Sequence, residues 1–74
     1  MAEIRVKSEL NAIVWKIEAA VGAAVQADDN LIILESMKME IPVVTEVPGV
    51  VRELHVEPEQ TVQEGDLIAI IDES

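Results

Sequence analysis

The sequence predicts an all-β domain, a flattened barrel or sandwich of two four-stranded antiparallel sheets with approximate two-fold internal symmetry. Half of the residues are apolar, mainly Val, Ile, Leu and Ala, with one aromatic side chain. Branched aliphatic side chains of this kind favour pleated surfaces. Several short segments alternate apolar with polar residues, which is the period of a half-buried strand. The second half of the chain also repeats the first, and this repeat indicates the symmetry.

Similar residues recur at equivalent positions when the chain is shifted by 37 residues. The pairs are Val14 and Val51, Ile17 and Leu54, Val25-Gln26 and Val62-Gln63, Asp29 and Asp66, Ile33 and Ile70, and Glu35 and Asp72. A short internal repeat indicates that one structural unit is built twice. We therefore expect residues 1–74 to form a single domain with repeat halves at about 12–36 and 49–73.

The first elements follow from alternation along the chain. Residues 4–7 alternate apolar with charged side chains and predict a strand, and residues 8–11 predict a turn. Residues 13–19 predict a second strand. The side chains expected on its buried face are Ile13, Trp15, Ile17 and Ala19, with Trp15 in the core or at the barrel edge.

Residues 19–27 are ambiguous, because five alanines in nine residues also suit a helix. The equivalent segment of the second half contains Pro58 and is followed directly by Gly65, which makes a helix there unfavourable. The repeat therefore predicts a turn, a very short strand and a second turn in both halves. Buried strands are expected at residues 31–34 and 67–71, and Pro48-Gly49 predicts the turn into the second half.

The acidic composition excludes several classes of function. A formal net charge of −10 lacks the clustered cations that bind nucleic acid or an anionic membrane surface. The chain has no cysteine and one histidine, so we expect no metal site. No apolar run has the roughly 20 residues that span a bilayer. We expect a soluble, cytoplasmic monomer.

The centre of the chain contains the segment with the clearest functional indication. Two extended segments flank it, and the shortest connection is a two-residue hairpin with Met37 and Lys38 at its tip. Tight hairpins normally use residues such as Asn-Gly, because their backbone needs positive φ. A turn that breaks this preference is a candidate functional site. The full segment is Glu35, Ser36, Met37, Lys38, Met39 and Glu40, in which Glu35 is expected opposite Glu40.

An exposed lysine at a hairpin tip is poorly suited to catalysis. A lysine nucleophile or base requires burial and a substrate pocket, and neither is expected at this position. Two interpretations remain open from the residues alone, an ordinary solvated lysine and an attachment point for a group that reacts elsewhere. An unmodified acidic protein-interaction module is a third possibility, which accounts for the charge but not for the hairpin.

The segment from Glu35 to Met39 resembles the Glu-Ala/Ser-Met-Lys-Met motif of biotinyl domains. The whole chain is similar to short stand-alone biotin carboxyl carrier and biotin/lipoyl attachment proteins, including the segments at Pro48-Gly49 and residues 62–67. The resemblance implies a barrel-sandwich hybrid fold and no catalytic residues. It also implies covalent biotin on Lys38, attached by a biotin protein ligase that recognises Met37 and Met39 in the hairpin of Glu35, Ser36 and Glu40. The carrier would then take carboxybiotin from a biotin carboxylase to a carboxyltransferase.

Lipoate on the same lysine is the nearest alternative, although lipoyl domains usually have Asp-Lys-Ala in this turn. A phosphopantetheine carrier modified at Ser36 would need a helical bundle, which the β-branched segments oppose. The chain also departs from the family pattern, because Asp28 and Glu59 stand where glycine is common. Aspartate adopts the left-handed conformation tolerably and glutamate less well, so these two turns are expected to differ in detail from those of the family.

Overall fold

A computed structural model describes residues 2–74. These residues form eight antiparallel strands in two four-stranded sheets without a helix, which confirms the predicted fold class. The domain measures 36 × 18 × 17 Å. Within the described part of the chain, no helix is long and apolar enough to cross a membrane. The strands are β1 (Glu3–Lys7), β2 (Ala12–Ile17), β3 (Ala24–Val25), β4 (Asn30–Ser36), β5 (Met39–Val44), β6 (Gly49–Leu54), β7 (Thr61–Val62) and β8 (Leu67–Glu73).

The predicted repeat is a structural repeat. Sheet 1 has the strand order β1-β8-β6-β3 and sheet 2 has the order β5-β4-β2-β7. A shift of 37 residues converts the bounds of β2, β3 and β4 into those of β6, β7 and β8. Each strand of one sheet therefore has its counterpart at the same place in the other. Strands β2 and β6 also alternate buried and exposed side chains in the same order.

The turns repeat as closely as the strands. The side chain of Asp29 accepts a hydrogen bond from the Gln26 N–H at 2.9 Å, and Asp66 accepts one from the Gln63 N–H at 2.9 Å. Hydrogen bonds that a short acidic side chain accepts from a nearby backbone N–H stabilise turns. The aspartates that revealed the repeat in the sequence thus serve the same purpose in both halves.

Two clusters of buried aliphatic side chains fill the space between the sheets. One includes Val14, Ile32, Leu34 and Ile68, and the other includes Leu31, Val51 and Ile71. Strands β4 and β8 contribute four consecutive buried residues each. Three of these residues in each strand belong to the two core clusters. Burial of this apolar surface between the sheets stabilises their packing.

The predicted buried face of β2 is wrong for its first two members. Ile13 and Trp15 are 46% and 49% exposed, whereas Ala12 and Val14 point inward. A bulge shifts the register between Val14 and Lys16. An extra residue in a strand reverses the alternation beyond it, so Ile17 is half-buried and Ala19 is buried, as predicted.

Among residues 2–74, two non-glycine residues outside the hairpin adopt positive φ, and both stand where glycine is common in the family. Asp28 has φ 74° and Glu59 has φ 69°. The repeat pairs Asp28 with Gly65 and Glu59 with Gly22, and both glycines have φ 91°. Equivalent turns therefore use the same left-handed geometry with glycine in one half and an acidic residue in the other.

Candidate functional site: the β4–β5 hairpin

Strands β4 and β5 are joined by a two-residue turn of Met37 and Lys38, as predicted. Ser36 pairs with Met39, so the ladder continues to the last residue before the turn. The φ angles are 53° at Met37 and 64° at Lys38. Positive φ at both central residues is the geometry of the type I′ turn, whose twist matches that of the flanking strands. The tight ladder imposes this conformation on two residues that do not favour it.

The hairpin and the chain termini lie at opposite ends of the domain. The C-terminal Ser74 N–H donates to the Pro48 carbonyl at 3.1 Å, and Pro48 lies just beyond the end of β5. The hairpin lies at the other end of that strand. By the repeat, the tip occupies the place that the two termini occupy at the opposite pole. Lys38 therefore lies at the pole opposite the start of β1 and the end of β8.

The side chains at the tip are open to solvent. Met37 is 92% exposed and Met39 is 64% exposed, and Lys38 is exposed between them. No described carboxylate forms an ion pair with Lys38. Exposed large apolar side chains beside a single cation are unusual for a water-facing turn. The arrangement presents one amine with apolar groups on either side and keeps it accessible to another protein.

Two carboxylates lie behind the tip. Glu35 and Glu40 are directly opposite one another in the ladder, as predicted, and both are exposed. Like charges at facing positions of an antiparallel pair destabilise it. Ser36 is half-buried and lies between this pair and the turn. The structure thus brings all six predicted site residues into one hairpin, in which the unfavourable features are concentrated.

The core fixes the orientation of the hairpin. Leu34 is fully buried and pairs with the half-buried Ile41, which packs on the same core cluster. The apolar anchor therefore lies one row behind the two carboxylates. Sites carried on strands that the core supports are held more precisely than sites on free loops.

The family of this domain follows from its similarity to known protein families. The family described as "Biotin-requiring enzyme", the biotin/lipoyl family, matches residues 4–71. The chain belongs to the biotin/lipoyl attachment family. Attachment domains of this family occur within carboxylases such as urea carboxylase, and biotin is the group named for the family, with lipoate as the alternative.

Relatives of this attachment domain include both small proteins and parts of large enzymes. The "Biotinylated protein TB7.3 homolog" of Mycobacterium leprae is 42% identical over 66 residues, which are 89% of this chain and 93% of the relative. The "Biotin/lipoyl attachment protein" of Bacillus subtilis is 39% identical over 54 residues, covering 73% of this chain and 74% of the relative. The crystal structure of Kluyveromyces lactis urea carboxylase superimposes with a TM-score of 0.91 at 36% identity, covering 97% of this chain but 6% of the enzyme.

Sequence reasoning missed one surface beside the hairpin. Ile13 was expected on the buried face of β2 and Trp15 in the core or at the barrel edge, so neither was recognised as part of an exposed surface. A comparison of repeat-equivalent positions would have identified Trp15, because it corresponds to the charged Arg52. Among residues 2–74 no group of three potential ligands is arranged to hold a metal ion.

Proposed function

We propose that this attachment domain is a biotin carrier in which Lys38 holds biotin through an amide on its Nζ. The observation that carries the proposal is the geometry of the tip, where an unpaired, exposed lysine stands between Met37 and Met39 in a strained turn. The position fits such a group, because an amide at Nζ removes the charge and leaves the backbone unchanged. The name of the Mycobacterium leprae relative, a homolog of a biotinylated protein, supports biotin as the group.

The domain itself acts by presentation and tethering. Bound biotin supplies a ring nitrogen that can carry a carboxyl group, and the domain brings it to a biotin carboxylase and then to a carboxyltransferase. A tethered group visits each site at an effective concentration that a free cofactor does not reach. The rigid hairpin contributes by holding Lys38 at one pole, so the attached arm points away from the bulk of the domain.

Two partners follow from this proposal. A biotin protein ligase would attach the cofactor, and the enzyme components of a biotin-dependent carboxylase would use it. The occurrence of this fold inside urea carboxylase supports the second partner. The chain spans 6% of that enzyme, so a shared acceptor substrate is no part of the proposal. The carrier would act as a cytoplasmic monomer.

Lipoate on Lys38 is the second candidate, because one relative is named for attachment of either group. The two methionines favour biotin, since they flank the lysine in the biotinyl motif. Co-expression with a biotin protein ligase and a lipoate ligase separates the candidates by intact mass. We expect the biotinyl product alone with wild type and no product with Lys38→Arg, while Lys7 and Lys16 stay free. A lipoyl product alone would replace the proposal with the second candidate.

A further inference from the structure

The repeat provides an internal control for surface chemistry. The outer faces of the two sheets are built on equivalent strands in the same order. A difference between equivalent side chains is therefore not required by the fold. On sheet 2 the exposed apolar residues Ile13, Trp15, Pro42 and Val44 surround the buried Ile33. We call this group the Trp15 face. The counterparts on sheet 1 are Val50, Arg52, Arg5, Lys7 and Ile70.

The two faces therefore differ in kind. Three of the four exposed positions are cationic on sheet 1 and apolar on sheet 2, although the backbone conformation is the same. Charged side chains are the ordinary choice for a sheet face in contact with water. The chain has them on sheet 1. The Trp15 face is an exposed apolar patch, although the equivalent face of sheet 1 shows that charged residues fit the same fold. Such a patch indicates a contact with another protein. Trp is also among the residue types enriched where binding energy is concentrated.

The Trp15 face is continuous with the hairpin. Ile13 pairs with Glu35, which pairs with Glu40, so one row of sheet 2 joins the face to the base of the tip. That row lies two residues behind the turn, or about 7 Å at the usual strand rise. A standard interface covers about 800 Å2 on each partner, a disc of about 16 Å radius. An enzyme centred on Lys38 would cover Ile13, Trp15 and Pro42, whereas Val44, at the far end of β5 and about 20 Å from the tip, would lie outside the contact.

The bulge in β2 contributes directly to this surface. It places Trp15 and Lys16 together on the outer side, so one extra side chain joins the row that contains Ile33 and Pro42. Lys16 is paired with Glu18 at 3.9 Å and does not add a free cation. The edge of the face nearest the tip is acidic. The surface thus complements a partner that is apolar at its centre and basic beside the lysine-binding site.

We propose that the Trp15 face is the docking surface for the biotin protein ligase, and this inference depends on the proposed function of Lys38. The ligase is the partner favoured by distance. It must bring an activated acyl group to Nζ itself, whereas the enzymes that use the cofactor meet it at the end of a longer arm. The chemistry is acyl transfer from an adenylate: the amide N–C bond forms, the acyl–phosphate bond breaks, the amine loses a proton and the adenosine monophosphate leaves.

Steady-state kinetics of biotin transfer, with carrier concentration as the variable, test this docking surface. The test protein is a double variant, Ile13→Thr with Trp15→Arg. The first change keeps a β-branched residue, and the second introduces the side chain present at the equivalent position 52. The matched control is Val50→Thr on sheet 1. We expect the KM for the carrier to rise about tenfold in the double variant, with kcat within about twofold, as for loss of an interface anchor. Val50→Thr should leave both constants unchanged.

A second measurement uses the wild-type chain and does not depend on the folding of a variant. Trp15 is the single tryptophan, so the 15N-labelled carrier gives one indole N–H resonance. We expect addition of unlabelled ligase to shift or broaden this resonance and the Ile13 amide while the Val50 amide is unaffected. An unchanged KM in the double variant, or an unperturbed indole with Lys38 still biotinylated, would overturn the docking surface and leave the carrier function intact. A wild-type chain that the ligase does not modify would overturn both.

Discussion

Ser8 and Thr45, 37 residues apart, make the same pair of hydrogen bonds at equivalent ends of the two halves. The Ser8 hydroxyl donates to the Leu10 carbonyl at 2.6 Å, and the Thr45 hydroxyl donates to the Val47 carbonyl at 2.7 Å. Both side chains are buried. Each hydroxyl also accepts from the N–H two residues on, at 3.4 and 3.2 Å. These are the buried polar side chains of the described chain, and each closes the turn after an edge strand.

Thr45→Val should destabilise the domain by about 1–3 kcal/mol, because the methyl group leaves the Val47 N–H and carbonyl without their partner. Denaturant unfolding monitored by circular dichroism measures the change. Thr61→Val is the control, since Thr61 is exposed in β7 and its loss should cost no more than about 0.5 kcal/mol. Equal effects of the two substitutions would contradict the role given to the buried hydroxyl.

Glu59→Gly should stabilise the domain by roughly 0.5–1 kcal/mol. Glu59 holds φ 69°, and relief of a left-handed conformation gains about 1–2 kcal/mol while the flexibility of glycine returns part of it. The reverse change at the equivalent position, Gly22→Glu, should lower stability by a similar amount. Thermal unfolding of both variants measures the pair. If both substitutions changed the melting temperature in the same direction, the left-handed backbone would not be the source of strain at these two positions.

Met37→Asn should separate stability from function in the hairpin. Asparagine tolerates positive φ, so the turn should become more stable by a few tenths to about 1 kcal/mol. The same change removes an apolar group beside Lys38, and biotin transfer should become slower. Melting temperature and transfer rate are measured on the same protein. A variant that is both more stable and equally well biotinylated would show that Met37 has no part in recognition.

Glu40→Lys should stabilise the hairpin by roughly 0.2–1 kcal/mol, because repulsion from Glu35 becomes attraction. The gain should largely disappear near 1 M salt, where screening extends over about 3 Å. Glu57→Lys, in an exposed turn, makes the same change in net charge without an opposing carboxylate. An equal gain in this control would assign the effect to net charge and not to the cross-strand pair.

The architecture was predictable because the sequence records it twice. Aligning the halves predicted that residues 19–27 form strand and turn instead of the helix that their alanines suggest, and the structure has β3 there. The hairpin was predictable for a related reason, since two extended segments left Met37 and Lys38 as the only connection. Where a local preference was ambiguous, the second copy resolved it.

The outer face of β2 could not be predicted from alternation alone. Ile13 and Ile17 are four residues apart and would share one face of a regular strand, but the bulge at Trp15 places them on opposite faces. Nothing in the residue types indicates a bulge, because it depends on how β2 meets β4. Ala12 and Val14 are buried although the neighbouring Ile13 and Trp15 are larger, so apolar size did not indicate which side chains of β2 point inward.

The central claim is that Lys38 carries biotin, and peptide-level mass analysis of the protein from its native cells tests it most directly. The cells are grown with ample biotin, and the peptides containing Lys7 and Lys16 provide internal controls for nonspecific acylation. We predict biotinyl-lysine at position 38 and unmodified lysine in both control peptides. An unmodified Lys38, or a lipoyl group in its place, would contradict the claim.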